Sequence, residues 1–211
     1  MAIKPILFNT EMVQAILDGR KSCTRRLVRF LPGENPQWTG YIRDGLMLYN
    51  GRNEHCITKA PHQPGDILYV RETFIQIAAH TFWYKADDNS WMPEGLHWKP
   101  SIHMPKKAAR IWLKVTNVRV ERLQEITETQ TEEEGFLFTP PCLHRTGENY
   151  CDIDGPCGSK IKYCDMSAGE LFGKVLWDST IKKSDLDRYG WGANPWVWVI
   201  EFERCEKPKE V

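Results

Sequence analysis

The sequence predicts a mixed α+β fold that is mainly β, a small barrel flanked by short helices. Strand-like alternation of apolar residues recurs along the 211-residue chain, whereas helical spacing appears only in short stretches. Strands and helices do not alternate over long distances, which argues against a doubly wound parallel sheet. The sequence also lacks a repeat at solenoid or propeller periods. We therefore expect residues 1–211 to form a single domain.

The first thirty residues predict a strand, a helix and a second strand. Residues 6–8 are a short apolar run. Four apolar residues then share one face of a short helix: Met12, Val13, Ile16 and Leu17. Gly19 follows at the position where a helix end favours a left-handed residue. Residues 24–28 are predicted as the next strand.

Turn-forming residues divide the rest of the chain. Segments 31–63, 75–105 and 136–166 contain many of them, and we expect these segments to be insertions outside the barrel. The first is predicted as loops or a weak hairpin, and the second as a hairpin over one face. Residues 64–66, Pro-Gly-Asp, are a turn signal ahead of a strand over residues 67–74.

Alternation predicts two later strands. The stronger spans residues 109–120, and the last spans residues 196–202. One side of the last strand carries only large apolar residues: Trp196, Trp198, Ile200 and Phe202.

Capping boxes predict two helices between and after these segments. Thr127 with Gln130 begins the first helix, and Gly135 closes it. Ser167 with Glu170 begins the second, ahead of an apolar run.

Composition excludes some classes of protein. Hydrophobic residues make up 41% and charged residues 27%, which is typical of a globular chain with a packed core. The 28 basic and 28 acidic residues balance, which argues against nucleic-acid binding through bulk charge. An odd number of cysteines favours a reducing compartment. We expect no signal peptide and no membrane span, and therefore a cytoplasmic protein.

Basic residues nevertheless concentrate in two stretches. One lies before residue 30, and the other runs over residues 99–122, where Lys106 and Lys107 are adjacent. If the fold brings the two stretches together, they form a basic face that suits RNA. Scattered, solvated charge explains the same composition equally well.

The segment that begins at Gly19 resembles the signature of the ASCH family. That signature is a glycine, a lysine two residues later, a threonine three further and then an arginine, matched here by Gly19, Lys21, Thr24 and Arg26. The preceding helix, the Pro-Gly-Asp turn and a helix ending at Glu134 follow in the family's order. The layout is similar to that of the longer ASCH proteins of phages and prophages.

The resemblance implies a barrel related to PUA domains, which bind RNA. Some small ASCH members are amidohydrolases that remove the acetyl group from N4-acetylcytidine with a lysine, a threonine and a glutamate. By motif these residues are Lys21, Thr24 and Glu134 in this chain. Another line of the family cleaves single-stranded RNA. The three insertions depart from the small enzymes and leave the substrate open.

The chemistry of these three side chains fits amide hydrolysis. Thr24 offers a nucleophilic hydroxyl, and a lysine made neutral by burial or by nearby cations can take its proton. Glu134 lies in the last turn of a helix, where the dipole favours the protonated acid that a departing amine needs. No cofactor is required for this reaction.

Two other classes of function remain open. In a nucleic-acid-binding module, Lys21 and Arg26 bind phosphate, Thr24 bonds to backbone and Glu134 is a solvated charge at a helix end. A phage accessory protein that binds a host protein is the third class. The sequence leaves the oligomeric state open.

Further candidate binding residues surround the motif or lie elsewhere in the chain. RNA, a nucleoside or a modified base is the expected partner, held by cations and by aromatic rings that stack on bases. The candidates are Gly19, Arg20, Arg25, Arg26, Glu72, Trp83, Tyr84, Lys106 and Lys107.

A cysteine cluster in the third insertion suggests a structural zinc site. Cys142, Cys151, Cys157 and Cys164 fall in one Gly- and Pro-containing segment, and four thiolates can close a tetrahedral zinc site. Their spacing is not the paired spacing of zinc ribbons, so reduced thiols in a loop are an equal alternative.

Overall fold

The computed structural model describes residues 1–30, 38, 40–43, 46–50, 55–87, 89–90, 93, 95–136 and 167–209. The fold is mixed α+β and mainly β, as predicted. The strands are β1 (Ile3–Leu7), β2 (Cys23–Leu27), β3 (Tyr41–Arg43), β4 (Met47–Asn50), β5 (His55–Lys59), β6 (Ile67–Arg71), β7 (Phe74–Ala78), β8 (Thr81–Tyr84), β9 (Trp112–Arg122) and β10 (Trp196–Cys205).

The helices are short and flank the sheets. They are α1 (Thr10–Leu17), α2 (Glu128–Glu133), α3 (Ala168–Leu171), α4 (Asp178–Thr180) and α5 (Leu186–Tyr189). A π-helical stretch, Phe172–Trp177, joins α3 to α4. No helix among the described residues is long and apolar enough to cross a membrane.

The central sheet has five strands in the order β1-β6-β9-β10-β2. Its β1–β6 pair is parallel, and the other pairs are antiparallel. Strands β1 and β2 are the two edges, so the sheet is open over the part of the chain described here, and the closed barrel that the sequence predicts is not confirmed. An arginine side chain bridges the two edges: Arg26 Nη2 donates to the Leu7 carbonyl at 2.8 Å.

Strand β10 organises the core because both of its faces are buried. Trp198, Ile200 and Phe202 lie on one face, on the side that the alternation predicts. Val197 and Val199 lie on the other, in a second cluster with Trp177 and other residues of the C-terminal helical region. The larger cluster draws residues from both ends of the chain, from Ile6 to Phe202.

The helix signals of the sequence are confirmed by hydrogen bonds. In the first capping box the Thr127 hydroxyl accepts from Gln130 N at 3.3 Å, and the Gln130 side chain accepts from Thr127 N at 3.1 Å. Ser167 and Glu170 form the same reciprocal pair. Gly19 has φ +75°, the left-handed conformation expected at the end of α1.

The insertions contain more regular structure than the sequence indicates. Within residues 31–63 the strands β3, β4 and β5 form a three-stranded antiparallel sheet rather than loops or a weak hairpin. Leu48 and Ile57 from this sheet are buried in the larger cluster, and this burial stabilises a segment whose local pattern is weak. Strands β7 and β8 form the hairpin expected in the second insertion.

Candidate active site and adjacent cleft

The turn after α1 docks on the C-terminal end of α2. Ser22 N donates to the Glu133 carbonyl at 2.9 Å, and Arg20 Nη1 donates to the Gly135 carbonyl at 3.3 Å. The last carbonyls of a helix lack partners inside the helix, and cations there interact favourably with its dipole. A Cβ at Gly135 would lie 2.7 Å from the Ala15 Cβ, so this contact requires a glycine.

A buried lysine lies at the centre of this junction. Lys21 Nζ donates to the Cys23 carbonyl at 2.7 Å, to the Glu134 carbonyl at 2.7 Å and to Glu134 Oε2 at 2.8 Å. All three partners are acceptors, so Lys21 needs three protons and is an ammonium here. The side chains of Lys21 and Glu134 are 1% and 5% exposed, which makes their contact a buried ion pair.

Arg25 adds a second cation to the same carboxylate. Its Nη1 lies 3.3 Å from Glu134 Oε1, and its Nη2 donates to the Gln130 side chain at 2.7 Å. Glu134 is therefore not a solvated charge at a helix end, and the buried Arg25 is not available to an external phosphate. Arg25 Nε is buried and has no hydrogen-bond partner among the described residues.

Cys23 lies beside this cluster and is not an activated nucleophile. Burial raises the pKa of its thiol to about 12, and the nearby Glu134 carboxylate acts in the same direction. The thiolate is the reactive form of cysteine, and it is scarce at such a pKa.

Thr24 is buried on β2, opposite Ile200 of β10. Its hydroxyl makes no hydrogen bond to any residue that the structure describes, and all three Lys21 protons are directed to other acceptors. Lys21 therefore makes no direct hydrogen bond to Thr24; the enzyme hypothesis expects either such a bond or a contact through one water. Because side chains alternate along a strand, Thr24 and Arg26 share one face of β2.

A cleft of about 390 Å³ opens beside Arg26, between the two edge strands of the sheet. Its walls include Leu7 of β1, Leu27 of β2, Lys59 of β5 and Trp198 of β10. Because β1 and β2 do not pair with each other, the gap between them forms a concave surface, and ligands commonly bind to concave surfaces. Lys21, Thr24 and Glu134 do not belong to its lining.

The cleft is basic. Arg26, Arg29 and Lys59 contribute three cations to the lining, which contains no carboxylate. Arg29 and Lys59 are exposed and make no ion pair with any part of the chain that the structure describes. Such a concave site with charge of one sign attracts anions.

His62 lies in the wall of the cleft and is neutral. Burial lowers the pKa of its imidazole to about 4, and the Lys4 ammonium acts in the same direction, opposed by Asp66. The residue is 9% exposed, and its Nδ1 has no hydrogen-bond partner within the described residues.

The other predicted binding residues lie apart from this lining. Glu72 is buried and holds Arg110 through two hydrogen bonds of 2.9 Å, and the Arg110 guanidinium stacks 4.0 Å from the Tyr84 ring. Trp83 is half-buried on β8, beside Tyr84. These contacts indicate a structural role for the group.

The remaining predicted sites divide into exposed, bound and undescribed residues. Lys106 and Lys107 are exposed on a 3₁₀ turn. Arg20 donates to Asp18 at 2.8 Å as well as to the Gly135 carbonyl. The predicted zinc ligands lie outside the described residues: Cys142, Cys151, Cys157 and Cys164.

Sequence spacing gives no signal for most of the cleft. Arg29 belongs to the first basic stretch, but nothing in the sequence connects it with Lys59 or Trp198. Arg29 follows β2, whereas Lys59 and Trp198 lie on β5 and β10, and only the fold brings the three together.

Comparison with known proteins leaves the family open. No protein-family model matches the chain, and it has no match among the curated proteins or the solved structures. The resemblance to the ASCH family therefore stays a prediction.

Proposed function

We propose that this chain is an ASCH-type domain with a PUA-like fold that hydrolyses an acylated nucleobase or nucleoside, an amide of the N4-acetylcytidine kind. The observation that carries the proposal is the buried ion pair of Lys21 and Glu134, joined at 2.8 Å across 113 residues of sequence. Thr24, with a hydroxyl not bonded to any described residue, is the second residue of β2 and follows Cys23, whose carbonyl accepts from Lys21. Hydrolysis of an amide needs a nucleophile, a base and an acid, and these three residues supply them.

The ion pair supplies both the base and the acid by one proton transfer. Lys21 as an ammonium cannot accept a proton, but Glu134 Oε2 lies within hydrogen-bond distance of it. Transfer of one proton from Lys21 to Glu134 gives a neutral amine and a neutral carboxylic acid. Rotation about the Cε–Nζ bond then turns the lone pair of the amine from Glu134 toward Thr24, where it accepts the proton of the hydroxyl.

Attack and cleavage restore the starting charges. Thr24 Oγ1 bonds to the acyl carbon while Lys21 takes the hydroxyl proton. The carbon–nitrogen bond breaks as Glu134 gives its proton to the departing amine. Lys21 is again an ammonium and Glu134 a carboxylate, and Thr24 carries the acyl group. Water then attacks the acyl carbon of this ester while the Glu134 carboxylate takes one of its protons. As the bond to Thr24 Oγ1 breaks, Glu134 gives that proton to the threonine oxygen, which restores Thr24 and releases the carboxylic acid.

A binding module without catalysis is the second candidate, and a specific observation favours it. The basic cleft does not include Lys21, Thr24 or Glu134 in its lining. Lys21 also donates to the Glu134 carbonyl at the end of α2, which is a structural role by itself. In this alternative the chain binds RNA or a nucleotide at the cleft, and the ion pair only stabilises the fold.

Mass spectrometry after incubation with a panel of acylated nucleosides separates the two candidates. We expect Thr24→Val to lower turnover by roughly 10²-fold or more, and Thr24→Ser to keep part of the activity because a hydroxyl remains. The matched control is Thr131→Val, which also removes a buried hydroxyl, one that donates to the Glu128 carbonyl at 2.6 Å. It should retain the activity of the parent.

The outcomes have clear consequences. If Thr24→Val hydrolyses the substrate as fast as the parent, the threonine is structural and the mechanism is wrong. If the parent releases no acyl group from any member of the panel, the binding module replaces the hydrolase.

A further inference from the structure

We infer that the cleft between β1 and β2 binds a phosphate group of a nucleotide, through Arg29 and Lys59 beside Arg26. The choice of a nucleotide as the ligand rests on the proposed function. The inference specifies that the substrate is a phosphorylated nucleoside or a nucleotide within RNA, rather than a neutral nucleoside. Phosphate is the chemistry shared by both sources.

Charge is the first argument. Three cations line a cleft that has no carboxylate in its lining, although the chain as a whole has no net charge. The nearby Asp66 is already paired with Lys4 at 2.7 Å. Arg29 and Lys59 have no anionic partner in the described part of the chain, so a ligand anion is the group that complements them.

Unpaired polar groups in the cleft wall are the second argument. His62 is nine-tenths buried in this wall, neutral, and has an Nδ1 without a partner among the described residues. A buried polar atom without a hydrogen bond is costly, and an ordered water or ion beside it can supply the missing partner.

The strand edges provide further polar groups. Val28 N donates to the Trp196 carbonyl, and Phe202 N donates to the Ser22 carbonyl. The backbone hydrogen bonds to β10 therefore come from the even-numbered residues of this stretch. The peptide groups of Leu27 therefore face the gap. A nucleobase carries donors and acceptors along its edge that suit an unpaired strand edge of this kind.

The position of Arg26 relates the cleft to the proposed chemistry. Arg26 and Thr24 lie on the same face of β2, two residues and therefore about 7 Å apart along the strand. Arg29 lies three residues further from Thr24 than Arg26 does. A nucleotide whose phosphate contacts Arg29 and Lys59 therefore lies beside Arg26, on the face of β2 that also carries Thr24.

Isothermal titration calorimetry with cytidine and cytidine 5′-monophosphate tests the inference. We expect the monophosphate to bind roughly tenfold more tightly or better, the preference that one charge-assisted hydrogen bond provides. The double variant Arg29→Gln/Lys59→Gln should abolish this preference. The matched control, Lys182→Gln/Arg204→Gln, removes two exposed cations outside the cleft and should retain it.

A six-nucleotide single-stranded RNA of cytidines identifies the source of the phosphate. If the polymer is the ligand, it binds more tightly than the monophosphate, and its affinity falls with salt by a slope of about −0.7 for each phosphate neutralised. The cleft double variant should then reduce that slope by about 1 to 1.5. Equal affinity for monophosphate and polymer indicates a free nucleotide.

The inference fails if neither phosphate-bearing probe binds, if cytidine binds as well as its monophosphate, or if the control loses the preference to the same degree. These results are distinguishable from failure of the proposed function. Phosphate-dependent binding without hydrolysis of any acylated nucleoside or nucleotide supports the cleft and rejects the enzyme. Hydrolysis at a rate that does not depend on the phosphate supports the enzyme and rejects phosphate binding in the cleft.

Discussion

Acidification tests whether His62 is buried and neutral in the folded chain. The pKa of its imidazole falls from the ordinary 6.5 to about 4, chiefly through burial. Between these two values the unfolded chain binds a proton at His62 that the folded chain does not bind. Folding stability therefore rises with pH in this window and is lost as the pH falls from 6.5 toward 4.

The size of the effect follows from the two pKa values. One pKa unit corresponds to about 1.4 kcal/mol, so the full difference is about 3 kcal/mol below pH 4 and about 2 kcal/mol at pH 5. Solvent that reaches the open side of the cleft screens part of this, so we expect a loss of about 1–2 kcal/mol between pH 7 and pH 5. The positive charges of Lys4 and Arg26 also lower the pKa of His62, whereas the negative charge of Asp66 raises it.

Urea unfolding of the parent and of His62→Gln at pH 7 and pH 5 measures this loss. Each free energy of unfolding is taken from the linear dependence on urea. The difference between pH 7 and pH 5 should be smaller in His62→Gln by about 1–2 kcal/mol, because glutamine does not titrate. His80→Gln, which replaces an exposed histidine, should keep the pH dependence of the parent. Equal pH dependence in the parent and in His62→Gln would refute the reasoning.

Three further predictions concern the stability of the fold, each measured by urea unfolding. Glu134→Gln leaves two buried cations without their carboxylate and should lower the free energy of unfolding by about 3 kcal/mol. The control Glu203→Gln, at an exposed ion pair, should lower it by less than about 1 kcal/mol, and similar losses in both variants would contradict the buried ion pair. Gly135→Ala and Gly65→Ala both place a Cβ on a left-handed backbone, but only the Cβ at residue 135 also comes within 2.7 Å of Ala15 Cβ. Gly135→Ala should therefore lower the free energy of unfolding by about 1–3 kcal/mol more than Gly65→Ala, and equal losses would show that Ala15 moves away at little cost. Leu113→Ala should cost about 2–5 kcal/mol because the side chain is fully buried, and a loss below about 1 kcal/mol would place it outside the core.

Local features of this protein could be predicted from the sequence. The capping box at Thr127 and the left-handed Gly19 depend on residues within one or two turns, so their pattern is visible in a short window. Strand β9 could be predicted because apolar residues at alternate positions, such as Leu113, bury one face of the strand. The bounds differ by a few residues, since pairing with neighbouring strands decides where a strand ends.

The tertiary structure alone decided the polar groups of the site. Lys21 and Glu134 are separated by 113 residues, and the docking of the α1 turn on α2 makes their contact. The sequence predicts Lys21 as a base and Glu134 as an acid at a helix end. In the structure the two form a buried ion pair, and Arg25 adds a second cation to it. No sequence window contains this information, because the partners of a buried charge come from other elements.

The cleft, too, depends on long-range pairing. The sequence shows equal numbers of acidic and basic residues, and only the sheet order leaves a gap between β1 and β2 where Arg26, Arg29 and Lys59 meet. Residues such as Leu48 have weak local strand signals and gain their structure from burial against the central sheet. Sequence thus determined where individual turns, caps and strands form, since neighbouring residues decide these. The charge and shape of the site were decided by which edges of the sheet remain unpaired.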